Sequence, residues 1–346
     1  MKRFILIITT LLILVVSSVV SCGGKYDPID PTENELRIVG YINGYEIYYD
    51  ELRFATYNNK ALFAKKYSLS ADGGAAWKPY REEFEKSVYD GLRYNYALQI
   101  LLKESGYSLD NQSIQSAVEE DIKGIIDQCG GRTEYKKYLK DMKLTDRLLR
   151  FNISIAYASN ELLLLMNDRG AFDDKVSFDI ELLADASPLP SNPLHDEFFK
   201  AMSELMSGDV YLQAESIFVS GSLADHEAFA KSVLDRANNG ESLSDIQKEY
   251  SDKCEYTALA DIFETDIYFD PLKSISENGY TMVKTDDGYR ILKRMPYNMN
   301  YIQQNCYTIA YAYVEAVFKQ SVSNYASTLK IEFTDFGRSL NLIEIN

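Results

Sequence analysis

The clearest patterning of hydrophobic and polar positions lies in the stretch Val210 to Arg294. It opens on the apolar, β-branched run Val210-Tyr-Leu-Gln-Ala-Glu-Ser-Ile-Phe-Val219, which predicts a buried strand. Phe229, Val233 and Ala237 then fall four apart, a helical stripe that stops at Asn238-Asn239-Gly240. A shorter helix, Ser242 to Tyr250, puts Leu243, Ile246 and Tyr250 on one face. Asp286-Asp287-Gly288 is a hairpin turn between two strand-like runs, Tyr280 to Thr285 and Tyr289 to Lys293. A strand, two helices and a closing hairpin predict a small α+β unit.

Upstream the period changes. Leu36 to Tyr48 alternates around Asn43-Gly44, the strongest short hairpin signal, and Asp50 stands where an N-cap would start the next helix. Residues 61 to 80 are less regular, with a loop at Gly73-Gly74. A long helix is then predicted from Tyr80, through Phe84, Val88, Leu92, Leu98 and Leu101, to about Gly106. A helix carrying Ile114, Val118, Ile122 and Ile125 follows, stopped by Gly130-Gly131. Next come a short helix, Thr133 to Lys140, and a long one capped by Thr145 and running to about Met166. Ser187 to Pro193 is a turn-rich linker before a helix from Leu194 to Met206. Ile302, Cys306, Ile309, Tyr313 and Val317 form the stripe of a C-terminal helix, about Asn300 to Leu329, followed by a short strand at Lys330 to Phe333.

Two sets of residues resemble known families. Ala214-Glu-Ser-Ile-Phe-Val219, Asn239-Gly-Glu-Ser-Leu243 ahead of Lys248-Glu-Tyr-Ser251, and Gly288-Tyr-Arg-Ile-Leu292 resemble the parvulin class of peptidyl-prolyl isomerases. The opening hairpin and the succession of helix, Gly-Gly, short helix, Leu144-Thr-Asp-Arg-Leu148 and long helix resemble the PrsA and SurA extracytoplasmic chaperones. The resemblance implies an α+β fold: a mostly helical, discontinuous chaperone domain built from residues 36–207 and 297–346, with a parvulin-like domain inserted at 208–296. Parvulins usually carry a histidine in the first strand and another in the closing strand; the matching positions here are Ser216 and Arg290, with Ile217, Phe218 and Tyr289 as pocket neighbours. The stretch Asp252 to Gly279 is short for that family and lacks its usual Gly-Gly segment. The expected site has therefore decayed, and no residue is singled out as catalytic.

Composition and targeting narrow the setting. Lys2-Arg3, the apolar run Phe4 to Val20, and Val19-Val20-Ser21-Cys22 predict a lipoprotein signal over residues 1–21, with lipid on Cys22. Residues 22–35, with Pro28 and Pro31, form a tether. The later apolar runs are too short to span a bilayer. A net charge of -16 argues against nucleic acid as a partner, since a phosphate backbone requires a basic surface. The 27 tyrosines suit a peptide-binding surface or the packing of half-buried helices.

Candidate chemistry is sparse. His195 and His226 each sit beside carboxylates near helix starts, at neither parvulin position, and are expected to be solvated. Cys129, Cys254 and Cys306 fit no metal or redox motif; Cys129 and Cys306 either pair or remain buried thiols. No phosphate loop, nucleophile elbow or zinc motif occurs, so no cofactor or metal is expected. The expected function is a membrane-anchored chaperone that assists secreted proteins, holding unfolded or extended chains in a cleft between its domains. Its isomerase activity is expected to be lost, and a homodimer is left open. The alternatives are an active isomerase with an atypical site, or a ligand-binding or adhesion lipoprotein reusing the fold.

Overall fold

The computed structural model describes residues 28–70, 73–168, 195–207, 209–221 and 223–345. The expected signal segment at 1–21, Cys22 and the expected linker at 187–193 lie outside the described residues, as does the side chain of His195. The chain divides into two compact units. One comprises the chain up to Lys65, Leu69–Leu165 and the chain from Ser321 onward; the other comprises Lys66–Ser68 and Met166–Gln320.

The first unit begins with β1 (Ile38–Ile42) and β2 (Tyr45–Tyr48), joined at Asn43 and Gly44, both with positive φ (50° and 82°). Only that geometry lets a two-residue turn follow the twist of its strands, and Asn-Gly adopts it at least cost. Five helices follow: α1 (Tyr49–Tyr67), α2 (Arg81–Glu104), α3 (Gln112–Gln128), α4 (Arg132–Asp141) and α5 (Asp146–Asp168). Asn111 caps α3 by accepting from the amide of Ser113, and Thr145 caps α5 by accepting from that of Leu148. Asp50 does not cap: α1 already begins at Tyr49, and the Asp50 carboxylate turns inward to Thr145 and Arg147. At the far end of the chain β7 (Ile331–Phe333) pairs antiparallel with β1, so the sheet runs β2-β1-β7. A short helix, α11 (Asp335–Ser339), closes against β1, where the hydroxyl of Thr334 donates to the carbonyl of Ile38 at 2.9 Å.

Trp77, the sole tryptophan, is fully buried in this unit. Phe84 meets it edge-on at 5.1 Å, Phe63 stacks on it at 6.4 Å, and its indole N–H donates to the carbonyl of Ser70. Replacing Trp77 with alanine is expected to cost about 3–5 kcal/mol, through lost burial and the cavity left behind. Guanidinium unfolding followed by far-ultraviolet circular dichroism would measure this, since the change also removes the fluorophore.

The second unit contains α6 (His195–Ser207) and a four-stranded antiparallel sheet. Its strands are β3 (Tyr211–Ser220), β4 (Cys254–Phe263), β5 (Tyr280–Thr285) and β6 (Gly288–Met295), in the order β4-β3-β6-β5. Two helices, α7 (His226–Asn238) and α8 (Leu243–Glu249), cover one face, where Ile217, Val219, Val233, Ile246, Tyr289 and Ile291 form a core. The other face carries Leu212, Ala214 and Leu292 against Phe269 and Leu272 of α9 (Phe269–Lys273). The strand β4 and helix α9 occupy the stretch Asp252 to Gly279 that the sequence leaves unread, so the sheet has one strand more than its pattern predicts. The helix α10 (Met299–Thr328) contributes its residues through Gln320 to this unit. All three described cysteines, Cys129, Cys254 and Cys306, are free thiols, so Cys129 and Cys306 do not pair.

Candidate functional site

Side chains alternate across a strand, so β3 presents Leu212, Ala214, Ser216 and Phe218 to one face and Ile217 and Val219 to the other. Register then decides which residues of β6 join them: Phe218 lies opposite Arg290, and Ser216 opposite Leu292. The structure thus brings together Ser216, Phe218 and Arg290. It puts Ile217 and Tyr289 in the helix-covered core on the opposite face, away from the other three.

Arg290 organises this face. Its Nη1 donates to Ser216 Oγ at 3.2 Å and its Nε to the hydroxyl of Tyr268 at 3.2 Å. The guanidinium lies 5.2 Å from the centroid of the Phe218 ring and 5.4 Å from that of Tyr268, within cation–π range of both. It forms no ion pair among the described residues. Ser216 is 1% exposed, so its hydroxyl is sealed behind the guanidinium and out of reach of a bound chain. Tyr268 was not a candidate from sequence, because it enters from the unread stretch just before α9.

The four side chains include no histidine and no carboxylate, and the guanidinium offers only donors. Prolyl isomerisation needs an apolar seat for the proline ring and polar groups around a twisted amide. Here the two aromatic faces that would make such a seat are occupied by the guanidinium. His226 takes no part: its Nδ1 lies 2.9 Å from the carbonyl of Leu223, and its ring packs 5.7 Å from that of Tyr289. Among the described residues no cluster of histidine, cysteine or carboxylate side chains is arranged to hold a metal ion.

A second concentration of charge lies inside the first unit. Asp50 is fully buried and Glu51 is 4% exposed, and both pair with Arg147. Glu51 also accepts from the hydroxyl of Tyr96 at 2.8 Å. Burial pushes the Glu51 carboxyl up to about 6, against the opposing pull of Arg147. Burial and the neighbouring Glu51 together push the Tyr96 hydroxyl far above its ordinary range. With both carboxylates buried and satisfied by Arg147, Thr145 and Tyr96, this group fastens α1, α2 and α5 together.

No family model matches the chain, and no curated protein does. Among solved structures it is similar to one described as the virulence factor PEB4 and the periplasmic protein Cj1289, two structurally related SurA-like chaperones of Campylobacter jejuni. That match has 12% identity and a TM-score of 0.25, and covers 86% of this chain and 99% of the other. It is also similar to PrsA from Bacillus subtilis, at 14% identity and a TM-score of 0.23, covering 71% of this chain and 85% of that one. Foldase protein PrsA from Streptococcus pneumoniae matches at 14% identity and a TM-score of 0.25, covering 84% and 93%. TM-scores this low carry no argument about fold or activity. SurA-like and PrsA chaperones are what the chain is similar to among solved structures.

Proposed function

We propose that the chain is an extracytoplasmic chaperone of PrsA/SurA type, tethered to a membrane by lipid on Cys22, whose isomerase activity has been lost. In this reading residues 36–207 and 297–346 form the chaperone domain, and 208–296 the parvulin-like insert. It binds unfolded or extended secreted chains through apolar and tyrosine side chains. Large ones stand exposed on the first unit, among them Leu36, Tyr57, Leu62 and Tyr107. The observation that carries the loss of catalysis is the seating of Arg290 between Phe218 and Tyr268, with Ser216 sealed beneath it. The ordered hairpin and helix succession supports the chaperone assignment, as does the closing of β7 onto β1.

Two assays separate the parts of this reading. A protease-coupled or exchange-NMR assay of a proline peptide is expected to show no rate above the uncatalysed one, beside a parvulin with both histidines as control. Aggregation of a reduced, unfolded secreted protein, followed by light scattering, is expected to be suppressed by the same preparation. Turnover that disappears on Arg290→Ala would overturn the loss of catalysis and make the protein a foldase. Failure to delay aggregation of any unfolded chain would remove the chaperone assignment.

A further inference from the structure

Within the first unit a cavity of about 410 Å³ opens between the segment at Ile29–Pro31, α1 and the corner joining α4 to α5. Four cationic side chains line it: Arg53, Lys136, Lys140 and Lys143. Lys136 and Lys140 are one helical turn apart on α4, and Lys143 turns the corner beside them. None of the three lysine ammonium groups has a hydrogen-bond or ion-pair partner among the described residues. The carboxylates in the wall are mostly committed elsewhere. Glu35 takes Arg53 at 3.0 Å and both the amide and hydroxyl of Thr32 at 2.9 Å. Asp146 takes Arg150 and the hydroxyl of Tyr135, each at 2.6 Å, and the amide of Ile29 at 3.4 Å. Only Asp30 remains to offset three unpaired lysines, in a chain whose net charge is -16.

The backbone adds a second observation. Lys143 holds φ at 57°, the left-handed conformation that ends α4, and the amide of Leu144 then returns to the carbonyl of Leu139 at 2.8 Å. Glycine or asparagine takes that position at least cost; a lysine there is strained.

We infer that this cavity binds a phosphate group carried on a polar body of glycerol or sugar size. Lysines bind phosphate as point charges, and three lining one cavity, Lys136 and Lys140 exposed and Lys143 half-buried, suit an oxyanion better than a planar carboxylate, which arginine grips in pairs. The volume falls in the range of small-molecule sites and exceeds what bare phosphate fills. Leu139 and Leu144, both buried, give the body an apolar floor. The phosphate comes from one of two sources, a soluble phosphate ester or a phospholipid headgroup. The second is close at hand in the sequence, since Ile29 follows Cys22 by only seven positions.

The test uses the full chain in neutral detergent micelles, titrated with glycerol phosphate, inorganic phosphate, or phosphatidylglycerol doped into the micelles, and read by calorimetry. Saturable binding is expected, weakening as salt rises, with Lys140→Gln lowering affinity about ten-fold. Lys143→Gly is expected to lower it similarly while leaving the melting temperature unchanged or higher, because glycine relieves the turn. Lys86→Gln, on an exposed face of α2, is the matched control and should bind as the native chain does. Binding of glycerol phosphate would support the site with a soluble source; binding of doped phosphatidylglycerol alone would support it with a lipid source. No saturable binding of any probe, or binding equally strong in Lys140→Gln and Lys143→Gly, would overturn the inference.

Discussion

Replacing Arg147 with methionine is expected to destabilise the first unit by about 3–5 kcal/mol at neutral pH. Among the described residues the guanidinium is the one cation paired with Asp50 and Glu51, whose side chains are 0% and 3% exposed. Methionine retains much of the packing volume but leaves two carboxylates in a low-dielectric interior without a counter-charge, and that desolvation penalty dominates. Urea unfolding at two pH values separates this cause from lost packing. Folded Glu51 holds its proton up to about 6, above an ordinary carboxyl, so the folded state binds more protons across the interval below that value. Stability from this group is therefore full at low pH and is lost as pH rises through about 6. The deficit of Arg147→Met should shrink as pH falls toward 5. In the native background Glu51→Gln should flatten the pH dependence and add on the order of 2 kcal/mol above pH 6. A deficit independent of pH would mean that packing, not charge, holds the cluster together.

The second large effect is expected at Gly337. A Cβ built there would stand 1.9 Å from the carbonyl oxygen of Val39 and 2.9 Å from its carbon, both backbone atoms that no rotamer change can move. Alanine must push α11 off β1, and the hydrogen bonds from Thr334 to Ile38 and Val39 go with it. Overpacking and those lost bonds together should cost about 3–5 kcal/mol. Gly91 is the matched control: it lies inside α2 with nothing within 4 Å of its would-be Cβ. Alanine there should stabilise by about 0.5–1 kcal/mol through the unfolded chain. Thermal melts of the two variants should therefore move in opposite directions. A Gly337→Ala protein melting with the native chain would show that α11 is not pressed against β1 in solution.

Elements whose signals are local were legible before the fold was known. Asn43-Gly44, both at positive φ, fix the first hairpin and Asp286-Asp287-Gly288 marks the second, while the stripes of α2, α3 and α10 repeat often enough to outvote their neighbours. The strand β4 was not legible, because Ala258-Leu259-Ala260 has no β-branched residue and is held in place by pairing with β3. Asp50 misled for a different reason: a capping residue by type, it is claimed by an arginine 97 positions away. At the candidate site, the positions Ser216 and Arg290 came from resemblance, and register brought them into contact. Ile217 and Tyr289 were grouped with them by adjacency, although strand alternation sends adjacent residues to opposite faces. Tyr268 gave no warning, since its role exists only once α9 folds back under the sheet. The lysine cavity was equally silent, assembled as it is from segments about a hundred residues apart.

The pairing of β7 with β1 also governs the order in which the molecule can be finished. Thr334 bonds to Ile38 across 296 positions of sequence, so the middle strand of the three lacks one neighbour until the chain has emerged through β7. The β1–β2 hairpin alone is only marginally stable in water, and closing so long a loop is entropically slow. Residues 211–295 form a contiguous sheet and need not wait. A nascent or prematurely terminated chain that stops short of Phe333 would keep the edge of Gly40 to Ile42 open to any strand it meets. Residues 331–333 thus decide whether this sheet is closed, leaving it open in every chain that stops before them.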